Sequence, residues 1–206
     1  MNWFLVNTNV KTTYRQSILQ KRNTLGLSEV SNLSKSILRN ADLGLNLSAI
    51  TTLGSYFSVN NEVDLATLTN IRLKKNLLTT FPKVEPNHSM SLIAPKDFKK
   101  LRKNKYDIFE PSDGDKVNPI DHEIIIIPTV GVDINGYRLG YGGGYYDRFL
   151  ESVMERNNRP LLIGLIYDFQ FIDNSINESH DIKLDIVFSE QQSKKFSDRR
   201  IYFLNF

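Results

Sequence analysis

Residues 123–151 carry the reading that decides the fold. They begin with Glu123-Ile124-Ile125-Ile126-Ile127-Pro128 and continue, after seven intervening residues, with Gly136-Tyr137-Arg138-Leu139-Gly140-Tyr141-Gly142-Gly143-Gly144-Tyr145-Tyr146-Asp147-Arg148-Phe149-Leu150-Glu151. The isoleucine run reads as a buried strand, and the stretch from Tyr145 reads as a helix. Between them Gly140, Gly142, Gly143 and Gly144 fall within five positions. Without a Cβ, such residues let backbone N–H groups turn inward around an anion. A helix start just downstream adds free N–H groups and a positive dipole end. The plainer alternative is a glycine-rich turn from strand to helix. Arg138, Asp147 and Arg148 beside it favour the anion cradle.

Outward from this stretch, helices and strands alternate. Thr8 or Asn9 is expected to cap a first helix with Val10, Tyr14, Ile18 and Leu25 near one stripe, and Ser28 a second with Val30, Leu33, Ile37 and Leu38 inward. Ala49 to Phe57 reads as a strand, Asp64 to Lys74 as a helix and Leu77 to Val84 as a strand. Residues 86–122 are the least regular, with short apolar patches at Met90 to Ala94 and Tyr106 to Phe109. Leu161 to Tyr167 and Ile186 to Phe188 are further strands, and Ile201-Tyr202-Phe203-Leu204 reads as an added one. The order predicts a single three-layer α/β/α domain over residues 1–206 with a mostly parallel sheet. In such sheets ligands bind beyond the carboxyl ends of the strands, where the glycine loop lies.

Composition narrows the chemistry. The 206 residues contain no cysteine, which excludes disulfides, thiolate metal sites and cysteine nucleophiles. The three histidines, His88, His122 and His180, are far apart, so any metal is expected to be a hard, oxygen-ligated ion such as Mg²⁺. A net charge of +3 suits small anionic ligands and is too mild to point to nucleic acid. The basic run Lys96 to Lys105 reads as solvated surface. The N-terminus lacks the pattern of a secretory signal, and no apolar stretch approaches the roughly 20 residues of a membrane span. The expectation is a soluble, cytoplasmic, monomeric protein acting on small molecules.

Lys11, Arg15 and Arg22 project from one face of the first helix, as suits a polyphosphate or, equally, a solvated face. Asp147 and Asp181 are candidate Mg²⁺ ligands if the fold brings them together; either could instead serve a turn. Glu62, after the predicted strand and beside Tyr56 and Phe57, can receive the N–H groups of a heterocycle or cap the helix that follows. Tyr145 and Tyr146 can stack on a flat ring or pack in the core. The loop is neither a Walker A motif nor a dinucleotide fingerprint, since Tyr145 stands where the third glycine would be.

Taken together and in order, these segments resemble the 5-formyltetrahydrofolate cyclo-ligase family. The resemblance rests on Lys11-x-x-x-Arg15, Tyr56 to Glu62, Phe81-Pro82-Lys83 and Glu110-Pro111. It continues through Ile127-Pro128, Gly131-x-Asp133, Gly136-x-Arg138 and the glycine run to Arg148, then Tyr167-x-x-Gln170 and His180-Asp181-x-x-x-Asp185. It covers residues 10–191, leaving 192–206 as a C-terminal extension; Thr129 and Val132 depart from the usual pattern. It implies a scaffold of the sugar-phosphate isomerase/CoA-transferase-like type and ATP- and Mg²⁺-dependent cyclisation of 5-formyltetrahydrofolate to 5,10-methenyltetrahydrofolate.

By that resemblance Lys11, Arg15, Arg138, Leu139 and the loop Gly140, Tyr141, Gly142, Gly143, Gly144, Tyr145 and Tyr146 bind ATP. Phe57 and Glu62, with Tyr141 to Tyr145, face the folate. Asp147 and Asp181 hold Mg²⁺, and Arg138, Tyr145 and Asp147 are the catalytic candidates. The competing classes are an isomerase or acyl-CoA transferase on a similar scaffold, which would need a dedicated carboxylate but no ATP, and a non-catalytic binding relative.

Overall fold

The computed structural model describes residues 3–178 and 180–198, with side chains from residue 10 onward. In chain order the elements are α1 (Trp3–Asn23), α2 (Leu27–Leu45), β1 (Thr52–Gly54), α3 (Ala66–Lys74), β2 (Leu78–Val84) and β3 (Met90–Ala94). Then come β4 (Leu101–Lys103), β5 (Phe109–Pro111), β6 (Asp115–Val117), β7 (Ile124–Ile126), β8 (Gly131–Val132) and β9 (Arg138–Leu139). The chain continues with α4 (Tyr145–Met154), β10 (Leu161–Leu165), β11 (Ile186–Phe188) and β12 (Ser193–Lys195).

Eight strands form one sheet in the order β12-β11-β10-β7-β1-β2-β3-β6. Its centre, from β11 to β2, is parallel, whereas β12, β3 and β6 join antiparallel at the two ends. The chain thus adopts the expected α/β class with a mostly parallel sheet. The isoleucine run explains why β7 is central. Ile124 and Ile126 enter the core under α2, with Ile37, Ala41 and Leu45, while Ile125 and Ile127 enter the core under α4, with Tyr146, Leu150 and Val153. A strand covered on both faces needs apolar side chains at every position, not at alternate ones. A third cluster, Ile18, Val130, Leu139, Ile172 and Ile176, seats α1 against the β8–β9 hairpin.

Several boundaries differ from the sequence expectation. α1 starts at Trp3, so Thr8 and Asn9 lie inside it; no glycine or proline interrupts the segment, and helix growth past a polar residue costs little. α2 is capped at Gly26, not Ser28. The strand expected at Ala49–Phe57 is only Thr52–Gly54, because the chain leaves the ladder beyond the Ser55 N–H bond to Thr80 O and turns toward the cleft. α3 begins at Ala66, whose N–H donates to the Asp64 carboxylate. The irregular segment 86–122 holds β3 to β6, and the basic run supplies β4 of an exposed hairpin with β5. Of the C-terminal extension, Ser193–Lys195 extends the sheet; the strand expected at Ile201–Leu204 lies outside the described residues.

The unusual positions Thr129 and Val132 are absorbed by packing: the Thr129 hydroxyl bonds Ile127 O and Val132 is fully buried. Three motif residues turn out to shape backbone. Asp133 closes the β8–β9 turn by accepting from the N–H groups of Asn135 and Tyr137. Gln170 donates to the carbonyls of Thr129 and Val130. Asp185 is held by Arg159 and accepts the Leu162 N–H.

Candidate active site

A cleft of about 1570 Å³ opens at the carboxyl ends of the parallel strands. That exceeds the roughly 300–1,000 Å³ of a site for one drug-sized ligand, so two ligands fit side by side. Its lining combines the charged residues Lys11, Arg15, Arg138, Asp147, Arg148 and Asp181 and the glycine loop with Phe57, Glu62, Pro82, Met90, Tyr106 and Ile108.

The loop's conformation follows from its glycines. Gly142 and Gly144 have φ of 98° and 62°, where L side chains are strained. At Gly140 a Cβ would meet the Arg138 guanidinium at 2.5 Å, so this glycine lets the arginine lie flat under the loop. Gly144 is the N-cap of α4. Among the described residues the amides of Gly142, Gly143 and Gly144 donate to no protein acceptor, as suits an anion cradle at a helix start. Arg15 Nε donates to Gly140 O at 2.8 Å and Arg148 Nη2 to Gly143 O at 2.7 Å, so cations clasp the loop from both sides.

The two aspartates reach the same wall of the cleft, each already matched to a cation. Asp147 accepts both its contacts with Arg138 from Nη2, at 3.2 and 3.0 Å, and Arg138 Nη1 donates to Pro128 O. Asp181 accepts Lys11 Nζ at 2.6 Å and the Glu178 N–H at 2.6 Å. Asp147 Oδ1 also faces the N–H of Ile182, the residue after Asp181, which ties the two positions together. Glu178, His180 and Asp181 offer ligand atoms within 4.8 Å of one another. The carboxylate oxygens of Glu178 and Asp181, beside amides open to phosphate, are hard donors of the kind that suits a divalent cation shared with a polyphosphate. Burial lowers the Arg15 pKa and Asp181 works against that shift, so its charge persists at neutral pH.

Another part of the lining is aromatic. Phe57 stacks on Phe81 with ring centroids 4.3 Å apart, and Phe98 meets Phe81 edge-on. Glu62 is only 5% exposed and is presented by a turn in which Asn60 and Asn61 both take positive φ, a conformation asparagine tolerates. Its Oε2 accepts the Val59 N–H and its Oε1 the Tyr141 hydroxyl at 2.8 Å. Of the two sequence readings, then, Glu62 does not cap α3, and its carboxylate faces the cleft. Burial raises its pKa, and the Arg22 charge is the main opposing influence.

Other candidates divide differently. Leu139 is buried, so only its backbone reaches the cleft. Tyr146 packs in the core under α4, with Arg138 5.7 Å from its ring centre, whereas Tyr145 stands in the cleft and shares a 2.9 Å hydroxyl contact with Tyr106. Sequence reasoning did not carry Tyr106 into the site, used Arg148 only as a charge flanking the loop without a role of its own, and placed Arg22 only on the phosphate-facing row of α1. In the structure Arg22 is enclosed and bonds the Tyr141 hydroxyl. No local pattern marks the Tyr106–Tyr145 and Arg22–Tyr141 contacts, because each partner comes from a distant segment.

A sequence model of the 5-formyltetrahydrofolate cyclo-ligase family matches residues 7–190. The chain belongs to that family. Among its relatives, the 5-formyltetrahydrofolate cyclo-ligase of Mycoplasma pneumoniae is 31% identical over 183 residues, spanning 88% of this chain and 99% of its own length. That of Mycoplasma genitalium is 29% identical and spans 86% and 96%. The solution structure of Aquifex aeolicus 5,10-methenyltetrahydrofolate synthetase superimposes with a TM-score of 0.79 at 31% identity, covering 93% of this chain and 95% of that one. The family resemblance read from the ordered motifs is therefore borne out. The cyclo-ligase match ends at Glu190, just before β12, so Ser193–Lys195 and Phe196 lie beyond it.

Proposed function

We propose that the chain is a 5-formyltetrahydrofolate cyclo-ligase that uses ATP and Mg²⁺ to make 5,10-methenyltetrahydrofolate, releasing ADP and phosphate. The observation that carries this reading is a cleft lined both by cations and open amides and by aromatic side chains with one buried carboxylate. A formyl oxygen on an amide-like nitrogen is a poor leaving group, and phosphorylation converts it into a good one. The formyl oxygen attacks the γ-phosphorus of ATP and ADP departs. N10 then attacks the formyl carbon, loses its proton as the ring closes, and the C–O bond breaks to release phosphate.

The chain's part is to hold two anionic partners in line and to balance charge that grows on the transferring oxygens. Lys11, Arg15, Arg138 and the amides of Gly142 to Gly144 are assigned to the triphosphate. Asp147 and Asp181 would hold Mg²⁺, which supplies charge neutralisation between phosphate oxygens. Glu62 would receive the N–H donors of the pterin edge, with Phe57 against its ring, and Tyr145 stands where the two substrates meet. We assign the enzyme to the cytoplasm as a monomer acting on small molecules; among the described residues no helix is long and apolar enough to cross a membrane.

The direct test follows the absorbance of methenyltetrahydrofolate with purified protein, 5-formyltetrahydrofolate and Mg-ATP. Folded protein that forms no product would overturn the proposal. Asp147→Asn is expected to abolish turnover with an unchanged circular dichroism spectrum; retained activity would remove Asp147 from the metal site. Glu62→Gln is expected to raise the folate KM more than the ATP KM, and the reverse order would reassign Glu62.

A further inference from the structure

Among the described residues two arginines are completely enclosed, and their surroundings differ. Arg72 is surrounded by acceptors: Nε donates to Thr79 Oγ1 at 2.9 Å, Nη1 to Leu47 O and Ile50 O at 2.7 and 2.9 Å, and Nη2 to Leu78 O at 2.8 Å. Those dipoles absorb its charge and tie α3 to the sheet. Arg22 on α1 is equally buried, yet its Nη2 bonds the Tyr141 hydroxyl and its Nε has no acceptor. The guanidinium lies 5.5 Å from the Tyr141 ring centre. The same hydroxyl donates to Glu62 Oε1.

A buried cation whose donors are not filled needs a compensating negative charge nearby. Glu62 is that charge, two hydrogen bonds away through one phenol oxygen. The charged and titratable groups around Glu62 come from five segments: Arg22 from α1, Tyr141 from the glycine loop, Tyr146 from α4, Tyr56 from the chain after β1 and Tyr167 from the chain after β10. Arg22 is the cation among them, and it does not itself line the cleft.

We propose that Arg22 is a positioning residue for folate recognition: through the Tyr141 hydroxyl it fixes the orientation and the negative charge of the Glu62 carboxylate. This rests on the assignment of Glu62 to folate binding. Tyr141 sits within the phosphate cradle, so the same contact links the loop's position to the state of Glu62. Burial alone favours the protonated acid, and Arg22 opposes that. A protonated Glu62 would turn an O–H toward the ligand's N–H donors and lose the match.

The test is direct binding of 5-formyltetrahydrofolate to the full chain by calorimetry, from mildly acidic to mildly alkaline pH. Arg22→Met is expected to weaken binding by about tenfold or more at neutral pH, the cost of leaving a buried group without its partner. Its affinity is also expected to fall off at a higher pH than in the parent protein. Arg22→Lys, which keeps the cation, is expected to restore much of the affinity and the parent pH profile. Folded Arg22→Met with the parent's affinity and profile would overturn the proposal, even if that variant were less stable. Should it fail to fold, Tyr141→Phe decides, since the residue is 42% exposed and the change removes one oxygen. Parental folate affinity in Tyr141→Phe would sink the idea. A parent chain that binds no folate would remove the folate assignment itself, whereas binding that is equal in parent and variants removes only the role of Arg22.

Discussion

His122 shows how one residue's burial becomes a measurable pH response. It is 4% exposed, with Nε2 2.7 Å from Thr80 Oγ1 and Nδ1 3.0 Å from Asn118 O. Burial lowers its pKa below the ordinary 6.5, with those carbonyls working weakly against the shift. The unfolded chain therefore binds a proton that the folded chain resists. The stability this contributes is complete above about 6.5 and is lost as pH falls toward the folded value. Denaturant midpoints are expected to drop as pH falls below about 6.5, less steeply in His122→Gln; equal slopes would clear His122 of that role. Arg72 makes a stability prediction of larger size. Burial lowers its pKa to about 10, so it stays charged at neutral pH, and removing it strands the carbonyls of Leu47, Ile50 and Leu78. Arg72→Met is expected to cost about 3 kcal/mol in equilibrium unfolding. Neither role is visible in the sequence, where Arg72 is an ordinary cation on a short helix and His122 a lone histidine.

Among the elements, β12 and the residue after it matter most to the site. β12 pairs antiparallel with β11, and Phe196 follows, donating its N–H to Asp185 O at 2.8 Å. Its ring covers Gly136, whose φ is 88° and whose missing Cβ would lie 2.4 Å from Phe196 Cγ. Gly136 turns the hairpin that delivers Arg138 to Asp147, and its carbonyl accepts the Leu184 N–H. Phe196→Ala is expected to cost about 2 kcal/mol by opening a partly buried gap, seen as a fall of several degrees in Tm. It is also expected to raise the Mg²⁺ concentration needed for half-maximal turnover; an unchanged requirement would confine Phe196 to stability. The sequence left the extension without a role beyond an added strand. The helices and central strands, in contrast, were legible because period and β-branched runs are local signals. Their ends were not, since β1 stops and α1 starts where tertiary contacts decide.

At the scale of the whole molecule, the β4–β5 hairpin is the cleft's outer wall. Glu110 Oε2 fastens it to β2 by accepting the Val84 N–H at 3.1 Å, and Tyr106 meets Tyr145 across the opening. The hairpin is mostly exposed, so amide exchange at residues 101–111 is expected to slow when folate and a non-hydrolysable ATP analogue bind. Exchange that ignores both ligands would make the hairpin a fixed wall. The sequence by itself determined the α/β class, the glycine cradle at a strand end, and the acids and bases available to it. It could do so because turn chemistry, helical period and residue type act over a few positions. Tertiary structure alone decided who partners whom: Lys11 with Asp181, 170 positions apart, Arg22 with Tyr141, 119 apart, and Tyr141 with Glu62, 79 apart. Such pairs form only when the sheet brings its strand ends together, and no local pattern in a single chain encodes that meeting.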